Sequence, residues 1–252
     1  MSENWVSMKS KHRVRKHGEV FTPQWVIDKM MAIPGIQEKA IDIFATFLEP
    51  SAGEGAFLLA IQDMKLRFVT ENYSEDTWGR YALWALSSIY GIEFLEDNLS
   101  IARQKMLDLF SDYYEDVHSA PISEQSDLYK SAQTIIWANV VQGDTLTRKN
   151  LQGKDITFSH WERVLQQPGK VRRTLFTYSS LFTDDESEAR GTQLTLFEGA
   201  EQTGTQLKLF DVADQGGFGV TANGGKENDP LSQSFAIVDI ELVWKEEKTN
   251  VG

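Results

Sequence analysis

Apolar residues change their spacing several times along this 252-residue chain, and each change predicts an element. Trp25, Val26, Met30 and Met31 recur at helical spacing behind Thr22 and Pro23, a pair suited to cap and open a helix. A second short helix is predicted over residues 37–44. Phe47 and Leu48 belong to an apolar run that stops at Glu49-Pro50, where small residues, Ser51 to Gly55, form a tight turn. Phe57, Leu58, Ile61, Met64 and Phe68 then return to the helical period. The stretch reads as strand, glycine turn and helix, and the rest of the chain is arranged around it.

Asn72 to Asp76 reads as a loop and cap, and Trp78, Tyr81, Ala82 and Ala85 as the buried face of another helix. Ser88 to Glu93 is a continuous apolar run ending in an acid, the pattern of a second buried strand. Asp97 or Asn98 stands where it would cap the next helix, whose buried face is Ile101, Ala102, Met106, Leu109 and Phe110. The polar residues 111–130 read as loop. Ile135 to Val141 reads as a third strand, closed by Gln142, Gly143, Asp144, Thr145 and Leu146. Strands alternating with helices predict an α/β fold with a parallel, doubly wound sheet.

The pattern weakens towards the C-terminus. Residues 156–176 fit an irregular extension or a small hairpin, with Trp161 a core residue rather than a base-stacking one. Residues 184–234, rich in Gly, Gln, Thr, Asp and Glu, are expected to be flexible, and Phe235 to Trp244 reads as a strand. The chain thus divides into a basic arm (1–17), a main domain (18–183), an acidic segment (184–234) and a terminal strand and tail (235–252).

Composition adds few changes. There is no Cys, which excludes disulfides and thiolate metal sites. The four His show no metal-ligand spacing. Neither a signal peptide nor an apolar run of membrane-spanning length is apparent, so a cytoplasmic protein without a membrane partner is expected. The formal net charge of -12 excludes a generic polyanion binder, yet Lys9, Lys11, Arg13, Arg15 and Lys16 concentrate positive charge in the arm. That arm is either a solubilising tail or a contact to DNA phosphates.

Candidate chemistry lies at the predicted strand ends. Gly53 and Gly55 lack a Cβ, so a ligand can approach the turn closely, and the first turn of the following helix offers N–H groups. A carboxylate ending the second strand, Glu93, suits the two hydroxyls of a ribose, as well as being an ordinary solvated strand-end charge. Asp144, ending the third strand, suits the exocyclic amine of a base, or simply a turn cap.

These stretches together resemble the N6-adenine DNA methyltransferases of restriction-modification systems. Gly18 to Pro23, with Phe21 and Thr22, is similar to that family's N-terminal motif near the methionine end of S-adenosylmethionine. Glu49-Pro50-Ser51-Ala52-Gly53-Glu54-Gly55-Ala56-Phe57 is similar to its acid-Pro-small-x-Gly-x-Gly-x-Phe signature. Tyr90 to Phe94 is similar to the segment whose acid holds the ribose and whose next residue flanks adenine, and Gly143 to Leu146 to the segment whose Asp meets the adenine amino group. The resemblance spans residues 18–146 and implies a Rossmann-like methyltransferase sheet. It implies S-adenosylmethionine as cofactor, held by Phe21, Thr22, Glu49, Pro50, Ser51, Gly53, Gly55, Phe57, Glu93, Phe94, Asp144 and Leu146.

One motif of that family is missing. Its catalytic Asn or Asp, Pro, Pro, aromatic sequence holds the amine of a flipped-out adenine. This chain has no Pro-Pro, and the nearest fragment, Asn228-Asp229-Pro230-Leu231, lacks the second Pro and the aromatic. No catalytic residue is therefore assigned. The acidic segment carries a short repeat instead: Gln193, Leu194, Leu196 and Phe197 recur as Gln206, Leu207, Leu209 and Phe210. Both copies resemble the pentapeptide by which bacterial DNA-processing proteins dock on the replication sliding clamp; the alternative is a packed hairpin. Two functions follow as expectations. One is the cofactor-binding part of a split adenine methyltransferase acting on DNA with a partner methyltransferase or specificity chain. The other is a non-catalytic recruiting or regulatory subunit on DNA machinery.

Overall fold

The computed structural model describes residues 22–182, 234–246 and 248–249. Helices α1 (Gln24–Met31) and α2 (Pro34–Ala40) lead to strand β1 (Phe47–Glu49). The glycine turn, α3 (Ala56–Asn72) and α4 (Glu75–Ser87) connect β1 to β2 (Ile89–Glu93). Helices α5 (Glu96–His118) and α6 (Asp127–Asn139) connect β2 to β3 (Val140–Gln142). The three strands pair in parallel in the order β1-β2-β3, with Phe47 opposite Ile89 and Gly91 opposite Val140.

Strand alternation divides the apolar residues between two cores. Phe47, Ile89 and Val140 join the helices in the larger core. Leu48, Tyr90, Ile92 and Val141 point the other way and pack with Ile156, Phe158, Phe176 and Tyr178. Those residues belong to a second, antiparallel sheet. Its hairpin is β4 (Thr157–Arg163) and β5 (Lys170–Thr177), joined by β6 (Ser234–Phe235), β7 (Val238–Asp239) and β8 (Lys248–Thr249). Tyr90 lies edge-on to the Phe158 and Phe176 rings at 5.5 and 5.8 Å, and its hydroxyl donates to the Ser159 carbonyl at 3.1 Å. The fold is therefore mixed α/β: a parallel three-stranded sheet with helices on one face and a hairpin on the other.

Several boundaries differ from the sequence reading. Ile135 to Asn139 is helical, not strand. Ser126 caps α6 by accepting from the Tyr129 N–H at 3.2 Å, and the helical period carries through to Asn139. Residues 111–118 continue α5, which leaves only 119–126 as loop. Asp97 and Asn98 lie inside α5; Leu95 is its N-cap, without a side-chain cap. The second helix starts earlier, because Pro34 occupies its first turn. Phe235 to Trp244 is not one strand. Two short strands give way to a 3₁₀ helix, Ile240–Lys245, whose three-residue repeat buries Ile240 and Val243.

Two buried polar side chains fasten the sheet to its surroundings. Asn139 is fully buried: its amide donates to the Ser87 carbonyl at 3.0 Å and accepts from the Trp161 indole N–H at 3.1 Å. The starts of β2 and β3 are thus tied to the hairpin, and Trp161 is a core residue. Lys65, in the middle of α3, is also fully buried and donates to the carbonyls of Asp42 and Ala45 at 2.6 and 2.8 Å. Burial lowers its pKa to about 7, against the opposing pull of nearby Asp42. A neutral amine has two N–H donors, matching these two carbonyls, and the contact fixes the loop that enters β1.

Candidate functional site

The parallel strands run in one direction, so their carboxyl ends meet at one edge of the sheet, where open α/β folds bind ligands. Glu49 ends β1 and accepts from the Ser51 N–H at 3.0 Å. Burial holds its carboxyl above the usual carboxylate range, and the Ser51 bond opposes that rise. The turn that follows needs its glycines. Gly53 and Gly55 have φ of +55° and +85°, and a Cβ at Gly55 would sit 3.0 Å from the Ala102 Cβ on α5.

Glu93 ends β2 and is buried. One carboxylate oxygen accepts from the Gly53 N–H at 2.7 Å; the other accepts from the Leu95 N–H at 2.8 Å and faces the Asn98 amide at 3.5 Å. The acid therefore ties the glycine turn to the start of α5. This differs from the solvated strand-end charge that the sequence left open. Phe94, the next residue, is half-exposed, and its carbonyl accepts from the Gln142 amide at 3.1 Å.

Beyond β3, Asp144 turns its carboxylate back onto the chain and accepts from the N–H groups of Leu146 at 2.9 Å and Thr147 at 3.4 Å. This tight turn leaves the Leu146 side chain almost wholly exposed, at 94%. The Thr145 hydroxyl donates to the Pro50 carbonyl. Because β2 lies between β1 and β3, that bond bridges across the central strand. Glu93 to Gly53, Gln142 to Phe94 and Thr145 to Pro50 thus connect the three strand-end loops in a closed ring.

The structure accordingly brings together Glu49, Pro50, Ser51, Gly53, Gly55, Glu93, Phe94, Asp144 and Leu146. Phe57 is set back from this edge, in the first turn of α3 with its ring against the helical core. Thr22 is exposed, two residues before Gln24, which shares a cavity of about 490 Å³ with Ile27, Leu59, Glu54 and Lys105. That cavity lies between α1, α3 and α5, beside the turn rather than over the strand ends. Lys105 pairs with Glu54 across it at 2.9 Å. Phe21, the basic arm, Asn228 to Leu231 and the repeat residues Gln193, Leu194, Leu196, Phe197, Gln206, Leu207, Leu209 and Phe210 lie outside the described residues.

Sequence reasoning missed Gln142, Thr145 and Asn98 as parts of this site. Only the register could reveal the first two, because their partners are 48 and 95 residues away in the chain. Among the described residues, no group of three or more His, Asp or Glu side chains could hold a metal ion, and no helix is long and apolar enough to cross a membrane. No protein-family model, no curated protein and no solved structure matches the chain.

Proposed function

We propose that this chain is the S-adenosylmethionine-binding component of a DNA adenine N6-methyltransferase, completed by a partner chain. The observation that carries the reading is the convergence of the Gly53–Gly55 turn, Glu93 and Asp144 at the carboxyl ends of three parallel strands. On this reading the sheet is one half of a doubly wound, Rossmann-like methyltransferase sheet. The nucleoside lies over the strand ends, its ribose at Glu93 and its base amine at Asp144, with Phe94 and Leu146 flanking the ring. An ionised carboxylate has about four acceptor positions, and three on Glu93 are engaged, so a ribose hydroxyl takes the fourth. A second hydroxyl replaces the long contact from Asn98. The methionine end extends towards Thr22 and the cavity beside α1.

The cofactor's sulfonium supplies the electrophile and the leaving group. What the recognised motifs do not supply is a means of holding a flipped-out adenine. Purified alone, the chain is therefore expected to transfer no labelled methyl group from S-adenosylmethionine to DNA. Robust adenine methylation by the single chain would overturn the split reading and mean that another residue set replaces the missing motif.

A second reading rests on the repeated Gln-Leu-x-Leu-Phe motif: a recruiting subunit that docks on the sliding clamp. Two copies on one tether raise avidity through effective concentration. Replacing Phe197 and Phe210 together by Ala is then expected to abolish capture by immobilised clamp, and either alone to weaken it. Equal capture of wild type and double variant would remove this reading.

A further inference from the structure

The geometry points to Thr145 as a positioning residue that holds Asp144 in place to read the base; we infer this on the basis of the cofactor-binding reading above. Asp144 sits on a loop that leaves the sheet edge after a three-residue strand. Its carboxylate bonds only within its own turn, to Leu146 and Thr147, so those bonds set the turn's shape but not its place over the sheet. Position comes from three other contacts, the first at the base of the turn, where the Gly143 N–H donates to the Glu93 carbonyl at 3.1 Å. Behind the turn, the Asp144 N–H donates to the Lys149 carbonyl at 2.8 Å. In front, the Thr145 hydroxyl reaches across β2 to the Pro50 carbonyl, at the other side of the sheet.

Pro50 is a well-placed anchor. It follows Glu49, whose carboxylate holds the Ser51 N–H, and it precedes the turn that Glu93 holds through Gly53. The Thr145 bond thus sets the spacing between the loop carrying Asp144 and the loop carrying the glycine turn. A ligand lying between those loops reads that spacing as affinity, because a preformed site loses less freedom on binding. Loss of the hydroxyl leaves the Asp144 turn intact and still joined to β2 through Gly143 and Glu93, but lets it move relative to Pro50 and the glycine turn.

The test is calorimetric titration of S-adenosylmethionine into the full chain and its Thr145→Val, Thr145→Ser, Asp144→Ala and Thr145→Val/Asp144→Ala variants. Thr145→Val preserves shape and is expected to weaken binding roughly 3–10-fold, the weight of one neutral hydrogen bond. Thr145→Ser, which keeps the hydroxyl, should restore most of it. A role through Asp144 requires non-additivity: Thr145→Val should cost almost nothing once Asp144 is Ala. A merely structural Thr145 would give additive losses with a lowered melting temperature. Additive losses, or unchanged affinity in Thr145→Val, would overturn the inference while leaving the cofactor reading intact. Absence of binding by wild type would instead overturn the cofactor reading, and this inference with it.

Discussion

Glu93→Ala is expected to abolish measurable S-adenosylmethionine binding and also to destabilise the fold. Its buried carboxylate accepts from the N–H groups of Gly53 and Leu95, one in the glycine turn and one at the start of α5. Removal leaves both donors without their charged partner. Hydrogen bonds to charged groups are worth about 1.5–3 kcal/mol each, so the loss of two is expected to cost roughly 3–6 kcal/mol. For a chain of this size that corresponds to a fall in melting temperature of about 6–24 °C. Glu93→Gln separates the two effects. It keeps the shape and one acceptor but sets its NH2 against the other N–H, so roughly half of the lost stability should be recovered while cofactor affinity falls at least roughly tenfold. Thermal melts and titrations of both variants test this. A Glu93→Ala protein as stable as wild type would show that the turn is held by something else.

Lys65 gives the second large effect, through pH. Its folded-state pKa is lowered to about 7 by burial, whereas in the unfolded chain it keeps the ordinary lysine value of 10.5. Between those values the unfolded chain binds more protons than the folded one, so stability rises with pH across that window. From pH 7 to 9.5 the gain is on the order of 3 kcal/mol, since each pKa unit corresponds to about 1.4 kcal/mol. Below pH 7 the folded protein must hold a buried ammonium between the Asp42 and Ala45 carbonyls and the Phe47 ring, whose centroid lies 5.3 Å from Nζ. Lys65→Met is expected to remove this rise, leaving only the contributions of other groups. Urea midpoints measured at pH 7, 8 and 9.5 for both proteins check the difference. Parallel pH profiles would mean that Lys65 titrates normally.

The sequence was most legible where local pattern and tertiary role coincide. β1, the glycine turn and α3 were readable because an apolar run, a small-residue break and a 3.6-residue period follow one another. β2 was readable because both its faces are buried, on helices through Ile89 and on the hairpin through Tyr90 and Ile92. The same continuous apolarity misled at Ile135 to Asn139. A helix end covered on most sides cannot be told from a buried strand by period alone. The Ser126 cap, nine residues upstream of Ile135, was the informative signal. α5 extends through polar residues 111–118 because one face still carries Tyr113, Tyr114 and Val117 against the core.

The candidate site was legible at Glu49, Gly53, Glu93 and Asp144, which stand next to strand ends that the sequence locates. Its connecting bonds were not. Thr145 to Pro50 and Gln142 to Phe94 depend on strand order and register, which pattern does not specify. Lys65 was hidden for a different reason. A lysine within an apolar helical stripe reads as a solvent-facing position until the carbonyls above it are known.

The central claim, that the strand-end edge binds S-adenosylmethionine, is tested most directly by titrating the cofactor into the unmodified chain at equilibrium. The account predicts saturable binding with one cofactor per chain, lost in Glu93→Ala and retained without any partner. No heat of binding at cofactor concentrations up to the millimolar range, or binding that Glu93→Ala and Asp144→Ala both leave unchanged, would contradict it.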